Sequence, residues 1–125
     1  MSTRAIIALP TEKGYITAWC WNNGSPNMLG EELKKYFTKE KYVRELIRLH
    51  SFSYIHGPNE ICEYAEKGDD TVPLTNGRVI LQHPHNGHVV AGMGKWGFFR
   101  DIETMLGQDL NYVYIFDGSH WKTYK

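Results

Sequence analysis

The sequence has little of what several large functional classes require. Its two cysteines, Cys20 and Cys62, follow no zinc or redox spacing, which favours a reduced, cytoplasmic protein. Its 14 lysines and arginines equal its 14 aspartates and glutamates, so no general cationic field exists to gather nucleic acid or an anionic membrane surface. The N-terminal apolar run is too short for a signal peptide or a membrane span, which predicts a soluble protein.

Recognisable catalytic motifs are missing as well. There is no Gly-x-Ser-x-Gly elbow, and neither cysteine lies in a nucleophile motif. His83, His85 and His88 resemble a metal site, but no cysteine or carboxylate lies close by in the sequence to complete a ligand set. We therefore expect no enzyme, no cofactor and no metal, and we place these histidines in a polar hairpin tip. A metal-dependent hydrolase built on the three histidines stays open as an alternative.

The apolar pattern predicts an α+β fold, with residues 1–125 forming one compact domain of a size that buries a proper core. A first hairpin is predicted from Thr3–Leu9 and Tyr15–Trp21, on either side of a turn that contains proline and glycine. A second joins Tyr112–Phe116 to His120–Tyr124 through an Asp-Gly turn. We expect these hairpins to form an antiparallel sheet packed with three to four short helices.

Two helices are predicted directly after the first hairpin. Ser25 and Pro26 are typical of a helix start, because serine accepts from a free N–H and proline loses nothing at the first helical position. Thr38 predicts the cap of a second helix, from Lys39 to about His50. The side chains that the first helix is expected to bury are Leu29, Leu33, Tyr36 and Phe37.

The middle and the end of the chain give weaker signals. A helix is predicted over residues 59–67, and residues 68–73 are predicted to form a loop because they contain few apolar side chains. Residues 78–82 and 87–91 are expected to pair as strands. A last helix is predicted to end at Gly107 and to carry Phe98, Phe99, Ile102, Met105 and Leu106.

The end of the second predicted strand is the most informative segment for function. Strand alternation places Trp19 and Trp21 together on one face, opposite the small set that includes Cys20. Beside the polar Asn22 and Asn23, the two indoles suit stacking on a flat ring. Packing under a helix or a second subunit is the alternative, and on this segment alone it is the favoured one.

A glycine-rich segment, residues 92–97, is the second candidate. Glycine lets a backbone approach a ligand closely, a helix start offers free N–H groups, and Lys95 and Arg100 carry charges that neutralise phosphate. Neither a P-loop ending nor the dinucleotide glycine spacing is present. The alternative is a flexible turn before an amphipathic helix. The residues predicted to bind a ligand are Trp19, Trp21, Asn23, Asn86, Lys95, Trp96, Phe98, Phe99 and Arg100.

Several separated pieces together resemble a group of small phage and prophage proteins. They are Ser2–Ala8, the strand that ends in Trp-Cys-Trp-Asn-Asn-Gly, the helical Glu40–Ile47, and the terminal Tyr112–Gly118. In that group the strand typically ends in Tyr-Cys-His-Trp-Asp-Gly-Tyr-Pro, from which this chain departs at Trp19, Asn22 and Ser25. The group resembles the first-described type of Thoeris anti-defence protein.

The resemblance implies a phage-encoded protein of the host cytoplasm that sequesters a cyclic ADP-ribose isomer without cleaving it. Some proteins of this type also capture cyclic oligonucleotides. The implied partners are the small cyclic nucleotide and copies of the same chain, as a dimer or higher, possibly a hexamer, with no nucleic-acid polymer and no membrane. The alternative is an inhibitor that docks on a host defence protein through an exposed aromatic surface.

Overall fold

The structure, a computed structural model, describes residues 3–59, 70–82 and 97–125, and it has the predicted α+β fold. Its strands are β1 (Ala5–Pro10), β2 (Tyr15–Cys20), β3 (Ser51–Phe52), β4 (Tyr54–His56), β5 (Asp70–Pro73), β6 (Val79–Gln82), β7 (Phe98–Phe99), β8 (Tyr112–Phe116) and β9 (Trp121–Tyr124). Its helical elements are a π-helical turn (Pro26–Gly30), α1 (Glu31–Tyr36), α2 (Glu40–Ile47) and α3 (Ile102–Leu106). None of the helices among the described residues is long and apolar enough to span a bilayer.

Both predicted hairpins are confirmed, and they join into one sheet. β1 pairs antiparallel with β2, and β8 pairs antiparallel with β9. The hairpins meet through β1 and β8, which run parallel with Ala5 opposite Tyr112, giving the order β3-β2-β1-β8-β9. The sheet is therefore mixed and not purely antiparallel as predicted. The parallel pair lies where helices and strands cover both faces, as is typical of parallel strands.

The outer edge of β2 is shared by two short strands. β3 runs parallel to its end, with Trp19 opposite Ser51, and β7 runs antiparallel to its start, with Tyr15 opposite Phe99. The prediction that Phe98 and Phe99 belong to the last helix is therefore wrong. That helix begins only at Ile102, because the Asp101 carboxylate accepts from the Thr104 N–H at 2.8 Å and caps it. Its predicted end at Gly107 is confirmed.

A second, smaller sheet has the order β4-β6-β5, with antiparallel pairs. The predicted loop over residues 68–73 is wrong for residues 70–73, which form β5. Pairing with the buried part of β6, with Val72 opposite Ile80, makes this segment a strand despite its few apolar residues. The predicted helix beyond Asn59 and the predicted strand 87–91 lie outside the described residues.

The first helical stretch starts at Ser25 and Pro26 as predicted, but its first turn is π-helical. The predicted side-chain cap is wrong, because the Ser25 hydroxyl donates to the Asn27 side-chain oxygen and accepts from no N–H of the helix. It buries a stripe of residues four apart, Leu29, Leu33 and Phe37. Tyr36 lies at the edge of this stripe and is 38% exposed, so its predicted burial is wrong.

The second helix, α2, is present, and Val43, Leu46 and Ile47 are buried on its inner side. It begins after Lys39 and not after Thr38, and no side-chain hydrogen bond caps it.

The larger sheet is buried on both faces. One face, with Ile7 and Ala18, packs against the helical stretch, α2 and residues of the smaller sheet. The opposite face, with Ile6 and Trp19, packs against Met105 of α3. Alternate residues of β1 thus enter two separate cores.

Candidate functional site

A cleft of about 530 Å³ lies where β2 ends, between the helical stretch that leads into α1 and the strand β4. Its volume is within the range of small-molecule sites, which span roughly 300 to 1,000 Å³. The residues that line it are Cys20, Asn22, Asn23, Asn27, Met28, Leu29, Glu31, Glu32, Lys35, Tyr36, Tyr54, Ile55, His56, Gly57, Pro58, Asn59 and Arg78.

The turn after β2 forms one wall of this cleft, and Asn22 connects it by hydrogen bonds to Ser53, between β3 and β4. The Asn22 N–H donates to the Ser53 carbonyl oxygen at 3.0 Å, and the Asn22 amide nitrogen donates to the Ser53 hydroxyl at 2.7 Å. Ser53 is buried at the point where the chain leaves β3 and enters β4. Asn22 therefore ties together the two backbone segments that flank the cleft.

Asn23 and Gly24 complete the turn in a fixed geometry. Asn23 has a φ of 56°, a left-handed conformation that asparagine adopts more readily than most residues, and its carbonyl accepts from the Leu29 N–H at 3.1 Å. The hydroxyl of the buried Tyr114 donates to the Gly24 carbonyl at 2.7 Å. A core tyrosine on β8 thus positions the turn, and the exposed Asn23 stands at the cleft wall.

Exposed apolar surface is concentrated at this cleft. Met28 is 43% exposed and Tyr36 is 38% exposed, and these are the exposed large hydrophobic residues of the described chain. Both line the cleft. Apolar surface gathered at a concave site is typical of a binding surface, whereas isolated exposed side chains need no explanation.

Arg78, which precedes β6 of the smaller sheet, contacts Glu32 and Tyr36 on the α1 side of the cleft. Its Nε and Nη2 donate to the same oxygen of Glu32, at 3.0 and 2.6 Å, and its guanidinium lies 4.0 Å from the centre of the Tyr36 ring. The side chains of Arg78 and Glu32 are only 14% and 17% exposed. The Asn76 amide also donates to the Tyr36 carbonyl at 2.6 Å. Tyr36 is thus held on its backbone and on its ring, which lowers the entropy lost when a ligand stacks there.

The opposite wall, on β4, carries a pair of aromatic rings. Tyr54 and His56 lie two apart on β4, and their ring centres are 4.4 Å apart at an interplanar angle of 86°. Both side chains are half-buried, while Ile55 between them is buried in the core. All three residues line the cleft, and strand alternation places the two rings on the same side of β4 while Ile55 also packs into the core.

Chemically, the cleft supplies rings, amides and a balanced set of charges. Lys35 and Arg78 contribute two cations, and Glu31 and Glu32 contribute two carboxylates. Cys20 also lines the cleft, but burial raises the pKa of its thiol to about 12, and a backbone hydrogen bond of Asn22 only partly opposes the rise. This thiol is protonated at neutral pH, and a protonated thiol is a poor nucleophile.

The described residues contain no group of three or more histidine, cysteine or acidic side chains arranged to hold a metal ion. His83, His85 and His88, for which a metal was considered, lie outside that part of the chain.

Asn23 is the predicted site residue that lines the cleft. Trp19 is only 1% exposed and packs in the second core, with its ring centre 5.4 Å from that of Trp21 at an interplanar angle of 27°. The two indoles share a face as predicted, but packing is the alternative that fits the burial of Trp19. Asn86, Lys95 and Trp96 lie outside the described residues.

The remaining predicted residues are separated from the cleft. Phe99 is buried beside Trp19 in the second core, Phe98 is half-buried in β7, and Arg100 is exposed after that strand. The indole nitrogens of Trp19 and Trp21 are enclosed, and no residue in the described part of the chain accepts a hydrogen bond from them. These indole donors are therefore closed off from solvent, in contrast to the open cleft on the other side of the sheet.

Sequence reasoning missed most of the residues that form the cleft walls. Tyr36 was predicted to lie in the core, and Glu32 was not among the predicted site residues. Arg78 was not predicted either, and it contacts Glu32 across 46 positions of sequence. The exposed polar residues that follow the end of β2 are the local signal that did point to this place.

No family model matches the sequence, and neither a curated protein nor a solved structure is significantly similar to it. A proposal for the function therefore depends on the chemistry of the cleft.

Proposed function

We propose that the protein binds a cyclic nucleotide signal, such as a cyclic ADP-ribose isomer, in this cleft and sequesters it without cleaving it. The observation that carries the proposal is the exposure of Met28 and Tyr36 at the cleft. A nucleobase presents a flat apolar ring, and stacking on an aromatic side chain contributes about 1 to 3 kcal/mol per base. Tyr36 is the platform that we assign to the base.

The neutral polar groups around this platform support the same proposal. Asn22, Asn23 and Asn27 line the cleft, and an amide side chain offers both a donor and an acceptor to the edge of a base or to ribose hydroxyls. Lys35 adds a cation for a phosphate group. Sequestration requires only tight binding, so the protonated state of the Cys20 thiol is compatible with it.

The proposed setting is the cytoplasm of a bacterial host, where a phage-encoded protein of this kind removes an immune signal. We propose that copies of the same chain cover the apolar rim at Met28 as a dimer or a higher oligomer, possibly a hexamer. Cyclic oligonucleotides are a further proposed ligand class, whereas a nucleic-acid polymer and a membrane are not proposed partners.

A capture-and-release experiment tests sequestration. The protein is mixed with cyclic ADP-ribose isomers, free ligand is removed by gel filtration, and the protein is unfolded by heat before the supernatant is analysed by mass spectrometry. Recovery of the intact cyclic nucleotide in proportion to the protein is the expected result. Recovery of a cleaved product indicates an enzyme, and failure to retain any cyclic nucleotide contradicts the proposal.

A second candidate function is a protein-binding inhibitor, and the same exposed rim favours it. An exposed methionine and an exposed tyrosine beside an arginine are typical anchors of a protein interface. A pull-down from host lysate with the wild-type chain and with Tyr36→Ala separates the two candidates. A host protein that is retained only by the wild type, in a chain that binds no cyclic nucleotide, replaces the first proposal.

A further inference from the structure

The turn between β5 and β6, residues 74–78, is closed by its own hydrogen bonds. The Leu74 N–H donates to the Arg78 carbonyl at 2.8 Å, and the Gly77 N–H donates to the Leu74 carbonyl at 3.1 Å. The Asn76 side-chain oxygen accepts from the Arg78 N–H at 3.1 Å. Gly77 has a φ of 88°, a conformation that favours glycine. The β5–β6 turn is therefore a preformed unit that can transmit a contact from one neighbour to another.

The helix α2 holds this turn through Glu45 and Thr75. The Thr75 N–H donates to one oxygen of the Glu45 carboxylate at 2.9 Å, and the Thr75 hydroxyl donates to the other oxygen at 2.6 Å. Hydrogen bonds to an ionised acceptor are about twice as strong as those between neutral groups, and two of them together fix orientation as well as distance. Neither residue lines the cleft.

On its other side the same turn contacts the end of α1. The Asn76 amide nitrogen donates to the Tyr36 carbonyl at 2.6 Å, across 40 positions of sequence. Tyr36 is the last residue of α1, and the last carbonyls of a helix have no partner within the helix itself. Asn76 therefore caps α1 from a distant part of the chain. The residue that it caps is the one whose ring forms the proposed stacking platform of the cleft.

We infer that Glu45 positions the Tyr36 ring for ligand binding, acting through Thr75 and Asn76 of the β5–β6 turn. When the Glu45 contact is lost, the turn is held less firmly against the helices and the cap on the Tyr36 carbonyl weakens. The ring then samples more orientations, and more entropy is lost when a ligand stacks on it. This inference rests on the proposed function, in which Tyr36 stacks on the base. Glu45 is a positioning residue, because it touches Tyr36 only through the turn.

A double-mutant cycle tests the inference, with titration calorimetry of cyclic ADP-ribose as the readout. Glu45→Ala is expected to bind about fivefold more weakly than the wild type, which is the scale set by ordering one side chain. In a Tyr36→Leu background the same change is expected to cause no further loss. Glu40→Ala is the matched control, because Glu40 is a carboxylate of the same helix that pairs with Arg44 at 3.0 Å outside the cleft. It should bind within about twofold of the wild type.

Hydrogen exchange in the ligand-free protein gives a second readout that does not depend on binding. The Phe37 N–H donates to the Leu33 carbonyl at 3.1 Å and so reports on the last turn of α1. Its exchange is expected to be about fivefold faster in Glu45→Ala than in the wild type, and unchanged in Glu40→Ala. If Glu45→Ala does not fold, as judged by circular dichroism, Thr75→Val removes the hydroxyl contact alone and is expected to give about half of these effects on a logarithmic scale.

The two readouts separate failure of the inference from failure of the proposed function. A wild type that binds no cyclic ADP-ribose contradicts the proposed function, and exchange at Phe37 then decides whether Glu45 holds the end of α1. Equal affinity of the wild type and folded Glu45→Ala overturns the inference and leaves sequestration standing. An undiminished loss in the Tyr36→Leu background overturns it as well, since Glu45 would then act by a route that does not include Tyr36.

Discussion

Arg78 lies over the ring of Tyr36, with its guanidinium 4.0 Å from the ring centre. The tyrosine ends α1, and the arginine directly precedes β6 of the smaller sheet. This contact therefore fixes a helix end to a sheet at the mouth of the cleft. It also holds the exposed tyrosine in the position that we assign to base stacking.

Replacement of Tyr36 by leucine is expected to weaken ligand binding. Leucine keeps an apolar surface but offers no ring for stacking, so affinity for a cyclic nucleotide should fall by about 1 to 3 kcal/mol, or roughly 5- to 150-fold. Calorimetry of wild type and variant measures this. Tyr42→Leu, on α2 outside the cleft, is the control and should bind as the wild type does. Equal loss in both variants would indicate a general effect on folding instead of stacking.

The Glu32–Arg78 pair is expected to contribute to stability as well as to the site. Glu32→Ala removes the carboxylate that accepts two hydrogen bonds from the mostly buried Arg78 guanidinium, which should lower the free energy of unfolding by about 1 to 3 kcal/mol. Glu40→Ala breaks an exposed pair of the same kind and should cost only about 0.3 to 0.5 kcal/mol. Urea denaturation of both variants gives the comparison. Equal losses would show that burial adds nothing to the Glu32 contact.

Tyr114 lies in the core, but its hydroxyl is expected to affect both stability and ligand binding in the cleft. Tyr114→Phe keeps the ring but removes the hydroxyl that donates to the Gly24 carbonyl, so a buried acceptor loses its partner. The free energy of unfolding should fall by about 1 to 3 kcal/mol. Because the adjacent Asn23 lines the cleft, ligand affinity should fall too. A destabilised variant with unchanged affinity would show that the turn does not take part in binding.

The Cys20 thiol is expected to make the protein sensitive to alkaline pH. Burial raises its pKa from 9.0 to about 12, so the unfolded chain releases this proton at a lower pH than the folded chain does. Its contribution to stability is therefore complete below about pH 9 and is lost as the pH rises toward 12.

Urea unfolding between neutral and alkaline pH measures this effect in a Cys62→Ser background, which leaves Cys20 as the only thiol. The decline above about pH 9 should be steeper in that protein than in one that also carries Cys20→Ala. The same decline in both proteins would assign the effect to other groups, among them Tyr114, whose pKa burial also raises.

The parts of the fold that the sequence predicts well are those with local signals. The Asp-Gly turn marks one hairpin, and Pro10 at the end of β1 with Gly14 before β2 marks the other. Ser25 with Pro26 marks the first helical stretch. The errors occur where pairing between segments far apart in the sequence determines the structure. Residues 70–73 form β5 because they pair with β6, and Phe98 and Phe99 form β7 because they pair with β2.

The candidate site depends even more on distant contacts. Asn23 was predicted because the polar turn is visible in the sequence, whereas Glu32, Tyr36 and Arg78 meet only once α1 packs beside the smaller sheet. The alternation in β2 correctly placed both tryptophans on one face. The alternation pattern does not predict that Met105 of α3 and Phe99 of β7 pack over Trp19 and bury it.

The central claim is that this cleft retains a cyclic nucleotide intact. Equilibrium dialysis with a cyclic ADP-ribose isomer, followed by heat release and mass spectrometry, measures retention and integrity together in the wild type and in Tyr36→Leu. The account predicts that the wild type retains the nucleotide and releases it uncleaved, with clearly weaker retention by the variant. No retention by the wild type, release of a cleaved product, or equal retention by both proteins would contradict it.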